Sequence, residues 1–114
     1  MNLQEIIDNL HLKLLTREND FYSINVESGY ASDLLSCVMT GAKSRGVWIT
    51  LMSHSNIIAV ASLLDLSAII ITENAMPDED TIAKANDEGI VLLLSIHPTF
   101  QIVGQLWEMG LRGT

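Results

Sequence analysis

The segment that most constrains the fold runs from Gly46 to Thr72, with the sequence GVWITLMSHSNIIAVASLLDLSAIIIT. Two runs of β-branched and aliphatic residues, Val47–Met52 and Ala68–Thr72, enclose a polar turn and an almost wholly apolar stretch, Asn56–Leu66. This order predicts a βαβ unit, because parallel strands need a crossover connection and are usually covered on both faces. Ala68–Thr72 has no polar residue before Thr72, so we expect it to be a central strand.

The chain before this unit shows the same alternation. Leu3, Ile6, Ile7 and Leu10 follow helical spacing and predict a helix over residues 3–10. Residues 12–16 are typical of a strand, and residues 21–27 of a second strand or an extended segment, with Gly29 as a break. Ser32 or Asp33 is expected to cap a helix that ends near Gly41 or Gly46.

After the unit, Pro77 and three acidic residues predict the start of a polar helix that stops at Gly89. Residues 91–95 are expected to form a buried strand. His97-Pro98 opens a final helix, whose predicted inner stripe consists of Phe100, Val103, Leu106 and Trp107. The chain is therefore expected to be one domain, residues 1–114, of the α/β class: a mainly parallel sheet flanked by helices.

The composition restricts the partners and the compartment. There are 14 acidic residues against 6 Lys and Arg, which argues against a nucleic-acid partner, because such binding needs clustered positive charge. No apolar run approaches the roughly 20 residues needed to cross a bilayer. The start of the chain lacks the basic residues of a secretory signal, and Cys37 is the single cysteine. We therefore expect a cytoplasmic protein without a membrane partner.

Polar turns follow three of the predicted strands, and the carboxyl ends of parallel strands are where α/β sheets bind ligands. Two of these turns open directly into helices, whose free N–H groups attract phosphate or carboxylate. Convergence on one small anion is one interpretation; ordinary helix capping is the other. The candidate ligand-binding residues are Ser53, His54, Ser55, Asn56, Thr72, His97 and Thr99.

Few other chemistries are indicated. The phosphate-binding loop, the dinucleotide fingerprint and the nucleophile elbow are all missing from the sequence. A metal site built on His54 and His97 would need further ligands, and Cys37 has no visible activating group. We therefore expect no catalytic residue, no metal and no cofactor.

The apolar helix at Asn56–Leu66 has a separate implication. Apolar residues cover most of its circumference, and such a helix must be buried on nearly every side. Either the domain sandwiches it internally, or a second copy of the chain covers it. We expect a homodimer formed through this helix or its neighbours.

Several segments together resemble the DRTGG domain family. They are Gly29–Met39, Val47–Thr50, Asn56–Leu64, Ile69–Thr72 and Pro77–Glu79, and the resemblance covers nearly the whole chain. In that family the domain occurs alone, inside phosphotransacetylases, and between CBS domains of regulated pyrophosphatases. It is similar to the N-terminal domain of HPr kinase/phosphorylase. The resemblance therefore implies an HPr kinase N-terminal-domain-like fold and a regulatory or dimerisation module.

The chain departs from the family at two turns. The family's Asp-Arg pair is represented by His54-Ser55 or a position close to it, and its Thr-Gly-Gly turn by Thr72-Glu73-Asn74. Losing an arginine and gaining an acid is expected to weaken any phosphate site of the family type.

Three functions remain open at this point. The first is a non-catalytic regulatory homodimer that senses a nucleotide or another small anionic metabolite. The second is a ligand-free interaction module that serves a partner enzyme in redox (hydrogenase-linked) metabolism or signalling. The third is a kinase of the HPr type or a phosphotransferase accessory that uses His54 or His97.

Overall fold

The computed structural model describes residues 1–113. Their elements, in chain order, are α1 (Leu3–Leu10), β1 (Lys13–Leu14), β2 (Gly29–Ala31), α2 (Leu35–Gly41), β3 (Val47–Thr50), α3 (Asn56–Leu63), β4 (Ala68–Ile71), α4 (Glu79–Glu88), β5 (Leu92–Leu94) and α5 (Thr99–Glu108). None of these helices is long and apolar enough to span a membrane.

One five-stranded sheet forms the centre of the domain, in the order β1-β5-β4-β3-β2. Strands β2 to β5 are parallel, and only β1 runs antiparallel, beside β5. The predicted α/β class with a mainly parallel sheet is confirmed. β4 is central and fully buried, as its apolar sequence predicts.

Two hydrophobic clusters cover the two faces of the sheet. Alternate strand residues point into each cluster, so Ile70 lies with α1 and α5, whereas Ile69 lies with α3 and α4. Strands β2, β3, β4 and β5 follow one another in a single direction across the sheet. Because the connections between parallel strands are right-handed, the helices that connect them, α2, α3 and α4, lie on the same face. The result is a three-layer arrangement.

Two helices begin at residues whose side chains cap them. Asn2 accepts a hydrogen bond from the Glu5 amide (2.9 Å) and begins α1. Asp78 accepts one from the Thr81 amide (2.8 Å) and begins α4, which ends at Gly89 with φ 69°. Ser32, however, accepts from the Leu34 amide, and Asp33 bonds elsewhere, so neither side chain caps α2.

Residues 21–27 begin with a turn and continue as a loop with one bridge residue, Asn25, so they are not a strand. The second strand begins at Gly29, where we expected a break. The loop pairs with the start of the chain: the Val26 amide donates to the Met1 carbonyl (2.8 Å), and the Leu3 amide to the Ile24 carbonyl (2.9 Å). A larger residue at position 29 would be crowded, because its Cβ would lie 3.0 Å from Leu111 Cδ2. A close approach by the end of the chain therefore accounts for this glycine.

The inner stripe predicted for α5 is right for Leu106 and wrong for Phe100, Val103 and Trp107. Ile102 and Leu106 face the core, whereas Phe100 is 92 % exposed and Trp107 57 % exposed. Both sets of residues have helical spacing, so the periodicity of the sequence fits either side of the helix.

Helix α3 is buried less completely than its composition predicts. Ile57, Ile58 and Ala61 are in the core, but Leu63 is 70 % exposed. Helices α2 and α4 pack on either side of it and leave its outer side open. Whether a second copy of the chain covers that side stays a prediction.

Candidate ligand site at the carboxyl edge of the sheet

The predicted site residues follow the ends of three neighbouring strands. Ser53–Asn56 comes after β3, Thr72 directly after β4, and His97 and Thr99 after β5. Because these strands are parallel, all three turns lie at one edge of the sheet. Beneath these turns lie three residues with hydroxyl groups that are almost fully buried: Thr50, Thr72 and Ser95.

A chain of polar contacts crosses this edge. The Thr50 hydroxyl donates to Asp33 Oδ1 (2.7 Å), and the Leu51 amide donates to the same oxygen (2.9 Å). The Thr72 amide and hydroxyl both donate to the Thr50 carbonyl, at 2.9 Å and 3.3 Å. The hydroxyl oxygens of Thr72 and Thr99 lie 2.5 Å apart. The ends of β3 and β4 are thus tied to the residues that precede α2 and begin α5.

Glu73 supplies an internal anion at the start of α5. Its Oε2 accepts a hydrogen bond from the Thr99 amide (2.9 Å), and its own amide donates to the His97 carbonyl (2.9 Å). Helix N-termini favour negative charge, so this carboxylate holds a position that a ligand phosphate could otherwise take. An anion that bound at this amide would have to displace Glu73.

The turn that contains Glu73 has an uncommon backbone conformation. Glu73 has φ 60° and Asn74 has φ 54°, both in the left-handed region that favours glycine. These two residues occupy the positions that match the glycine pair of the Thr-Gly-Gly turn. The conformation of a glycine turn is therefore present here without its glycines.

The amides at the start of α3 also have internal partners. His54 Nδ1 accepts from the Asn56 amide (3.3 Å), and the His54 carbonyl accepts from the Ile57 amide (3.1 Å). The Ser55 carbonyl accepts from the Ile58 amide (3.1 Å). The amides of Asn56, Ile57 and Ile58 are therefore occupied, whereas those of Ser53, His54 and Ser55 have no hydrogen-bond partner among residues 1–113.

The seven candidate residues form two groups. Thr72, His97 and Thr99 are connected directly or through Glu73. No hydrogen bond among residues 1–113 connects them to Ser53–Asn56. His54 and Asn56 are exposed, and Thr72 is fully buried with its hydroxyl already bonded.

The second group adjoins the start of α4. The pKa of Asp78 is held below its usual value of 3.8, first by the hydrogen bonds from Thr81 and to a smaller extent by the nearby charge of His54. His54 therefore lies close to the capping carboxylate of α4. A ligand anion near His54 would also meet this negative charge.

The antiparallel strand β1 brings a third histidine to the same edge. Lys13 pairs with Leu94 at the carboxyl end of β5, and His11 precedes Lys13 by two residues. His11 is exposed and forms the C-cap of α1. The strands that carry His11 and His54 are three spacings apart, roughly 14 Å.

Sequence reasoning missed Asp33 and Thr50 as parts of this edge, and it placed Glu73 in the turn after β4 without its contact to α5. Thr50 ends β3, whereas the predicted strand continued to Met52. The hydrogen bonds of Asp33 and Glu73 gave no local signal, because their partners are 17 and 26 residues away. Among residues 1–113, no three His, Cys, Asp or Glu side chains cluster in a way that could hold a metal.

A separate apolar cleft lies between the edge strand β2 and helix α5. It has a volume of about 170 Å³, and its walls include Ala31, Ile49, Val103, Trp107 and Leu111. The Arg112 guanidinium stacks on the Trp107 ring, 3.9 Å from its centroid. This cleft is lined by none of the seven candidate residues.

No protein-family profile and no curated protein sequence matches this chain. Among solved structures, it is similar to the crystal structure of the CBS and DRTGG domains of the regulatory region of Clostridium perfringens pyrophosphatase, complexed with its activator, diadenosine tetraphosphate. The TM-score is 0.76 at 16% sequence identity, and the similarity covers 92% of this chain and 45% of that chain. This chain therefore spans less than half the length of that structure.

At this level of identity, the similarity is one of fold. It confirms the DRTGG-like α/β architecture that the sequence led us to expect. That structure is a regulatory region with both CBS and DRTGG domains, in complex with a nucleotide activator. The chain thus shares its fold with part of a regulatory region that contains CBS and DRTGG domains.

Proposed function

We propose that this chain is a non-catalytic regulatory module that senses a nucleotide or another small anion at the carboxyl edge of its sheet. One observation carries the proposal: the polar chain from Asp33 to Thr99 spans the ends of neighbouring parallel strands, in a fold shared with a nucleotide-activated regulatory region. Binding there would displace Asp33, which precedes α2, and Thr99, which begins α5. A ligand could in this way change the relative positions of helices on both faces of the sheet.

The spacing of the histidines favours an elongated ligand. His97 and His54 follow strands two spacings apart, about 10 Å, and His11 extends the row further. A compact anion would contact one of them, whereas a chain of phosphates would contact two or three. Glu73 and Asp78 oppose this attraction, so binding is expected to need several contacts.

Ligand binding can be tested by thermal shift and calorimetry. The probes are diadenosine tetraphosphate, adenine nucleotides and acetyl phosphate. A ligand at ten times its dissociation constant stabilises the fold by about 1.4 kcal/mol, which raises the melting temperature by several degrees for a domain of this size. No shift with any probe at millimolar concentration would remove the sensing function.

The position of the site needs matched variants. His54→Ala and His97→Ala are expected to weaken binding several-fold without changing the fold, because neither side chain is buried. Lys43→Ala is the control, since Lys43 is exposed at the opposite, amino edge of the sheet, before β3. Equal weakening by Lys43→Ala would indicate a general charge effect.

We propose in addition that the module acts as a homodimer. The exposed apolar side chains Phe100 and Trp107 on one side of α5 support this, because contiguous exposed apolar surface marks association sites. The same side chains support the second candidate function, a ligand-free module that binds a partner enzyme. A monomer that binds no nucleotide but is recovered with one defined enzyme would favour that second function.

A further inference from the structure

Helix α5 has a second apolar stripe that the domain leaves uncovered. Phe100, Val103 and Trp107 are spaced three and four residues apart and so share one side of the helix. They are 92 %, 36 % and 57 % exposed, while Ile102 and Leu106 hold the other side of the helix on the sheet. A helix that is apolar on two sides needs a second partner to cover it.

The stripe continues into the free edge of the sheet. Val103 and Trp107 form one wall of the apolar cleft, and Ala31 of β2 lies in the other. Strand β2 is the last strand of the sheet on this side. We call the surface formed by Ala31, Phe100, Val103 and Trp107 the α5–β2 face.

Strand β2 has unused backbone groups on its outer edge. The Ser28 carbonyl and the Ser32 amide bond to β3, so the alternate residues Gly29 and Ala31 direct their backbone groups outward. The Gly29 amide donates to the Arg112 carbonyl (2.9 Å). The outward amide and carbonyl of Ala31 have no backbone partner among residues 1–113. An edge of this kind is a template for pairing with another chain.

The charge of the α5–β2 face fits a second copy of this chain. The protein has a net charge of −8, yet Glu108 is the only acidic residue of α5. Arg112 stacks on Trp107, which leaves the face close to neutral. Two copies can therefore meet through this face without bringing their negative charges close together. A basic partner protein would gain little electrostatic attraction from it.

The exposed stripe supplies about two-thirds of the area of a small two-fold interface. The three side chains of the stripe expose on the order of 400 Å² of apolar surface, within the range of the largest patches on monomers. Two copies bring about 800 Å², and the walls of the cleft with a polar rim extend this toward the roughly 1,200 Å² of a small stable interface.

We propose that the α5–β2 face is the homodimer interface of this protein. Around a two-fold axis, Ala31 of one copy pairs antiparallel with Ala31 of the other, and each α5 stripe covers the cleft of its partner. The inference rests on the homodimer part of the proposed function and is independent of the ligand. It places the interface at α5 and β2, and not at α3.

Light scattering and sedimentation of the wild-type chain test the oligomer itself. The expected mass is twice 12.5 kDa at micromolar concentration. A wild-type monomer at about 100 µM would overturn both the homodimer and this interface. The ligand experiments would be unaffected by that result.

Matched variants then locate the interface. Phe100→Asp and Ala31→Pro are expected to give folded monomers, because Phe100 is exposed and the Ala31 amide is outside the β2–β3 ladder. Leu63→Asp places the same charge on the exposed side of α3 and is expected to remain dimeric. Circular dichroism checks that each variant is folded. Dissociation by Leu63→Asp alone, or persistence of the dimer in both other variants, would overturn the α5–β2 face while leaving the homodimer intact.

Discussion

Glu73 Oε2 accepts a hydrogen bond from the backbone amide of Thr99 at 2.9 Å. The first amide of helix α5 is therefore capped by a carboxylate from the turn that follows β4. The two residues are 26 positions apart, and their contact joins the ends of neighbouring strands. It also places a negative charge where a bound anion would gain most from the start of the helix.

The first prediction concerns this capping carboxylate. Glu73→Ala is expected to lower the free energy of unfolding by about 1 kcal/mol, because the Thr99 amide loses its acceptor. Glu73→Gln keeps an oxygen acceptor and removes the charge, so it should cost less and raise the affinity for anionic probes several-fold. Urea denaturation and calorimetry measure the two effects. Glu18→Gln, exposed in the loop after β1, is the charge-matched control.

The second prediction concerns the buried hydroxyl of Thr72. Thr72→Val keeps the shape of the side chain but removes its contacts with the Thr50 carbonyl and the Thr99 hydroxyl. We expect a loss of about 1 kcal/mol in the free energy of unfolding, since the Thr99 hydroxyl loses its partner while the Thr50 carbonyl keeps the Thr72 amide. Thr40→Val, on the exposed side of α2, should change stability by less than about 0.5 kcal/mol. Equal effects of the two variants in urea denaturation would contradict the importance of the buried contacts.

The third prediction concerns Asp33 as a tie between the end of β2 and the end of β3. Asp33→Ala removes the acceptor of both the Thr50 hydroxyl and the Leu51 amide, and should cost about 1–3 kcal/mol. Hydrogen exchange should report faster exchange of the Leu51 amide in particular. Asp87→Ala, exposed on α4, serves as the control. Unchanged exchange at Leu51 would show that Asp33 does not hold this strand end in solution.

The fourth prediction concerns pH and the cap of α4. The pKa of Asp78 is lowered in the folded state, chiefly by the hydrogen bonds from Thr81. A lowered pKa means that the charged form stabilises the fold above the usual value near 3.8, and that this contribution is lost as the pH falls through the folded pKa. The stability advantage of the wild type over Asp78→Asn should therefore be present at pH 7 and shrink below about pH 4.

Denaturation of both proteins at pH 7 and pH 3 measures this difference. Asp87→Asn is the matched control, because Asp87 lies near the end of the same helix and caps nothing. A difference between wild type and Asp78→Asn that stays constant between the two pH values would be inconsistent with a charged cap.

The sequence by itself determined the class of fold and the edge that carries the candidate residues. Apolar runs separated by helical segments specify a parallel sheet, and residues that follow its strands must lie at one edge. These patterns are local, so they can be recognised without knowing which strands are neighbours in the sheet. The resemblance to the DRTGG family and the similarity of fold agree with them.

Only the tertiary structure decided which side of α5 faces the core, because Ile102 and Leu106 satisfy the same periodicity as Phe100 and Trp107. Only the structure joined Glu73 to Thr99, since a hydrogen bond between distant residues depends on how strands β4 and β5 are aligned. Helical and strand periods describe the neighbours of a residue along the chain. Which neighbours it meets across the sheet is set by strand order and register, which the whole core determines together.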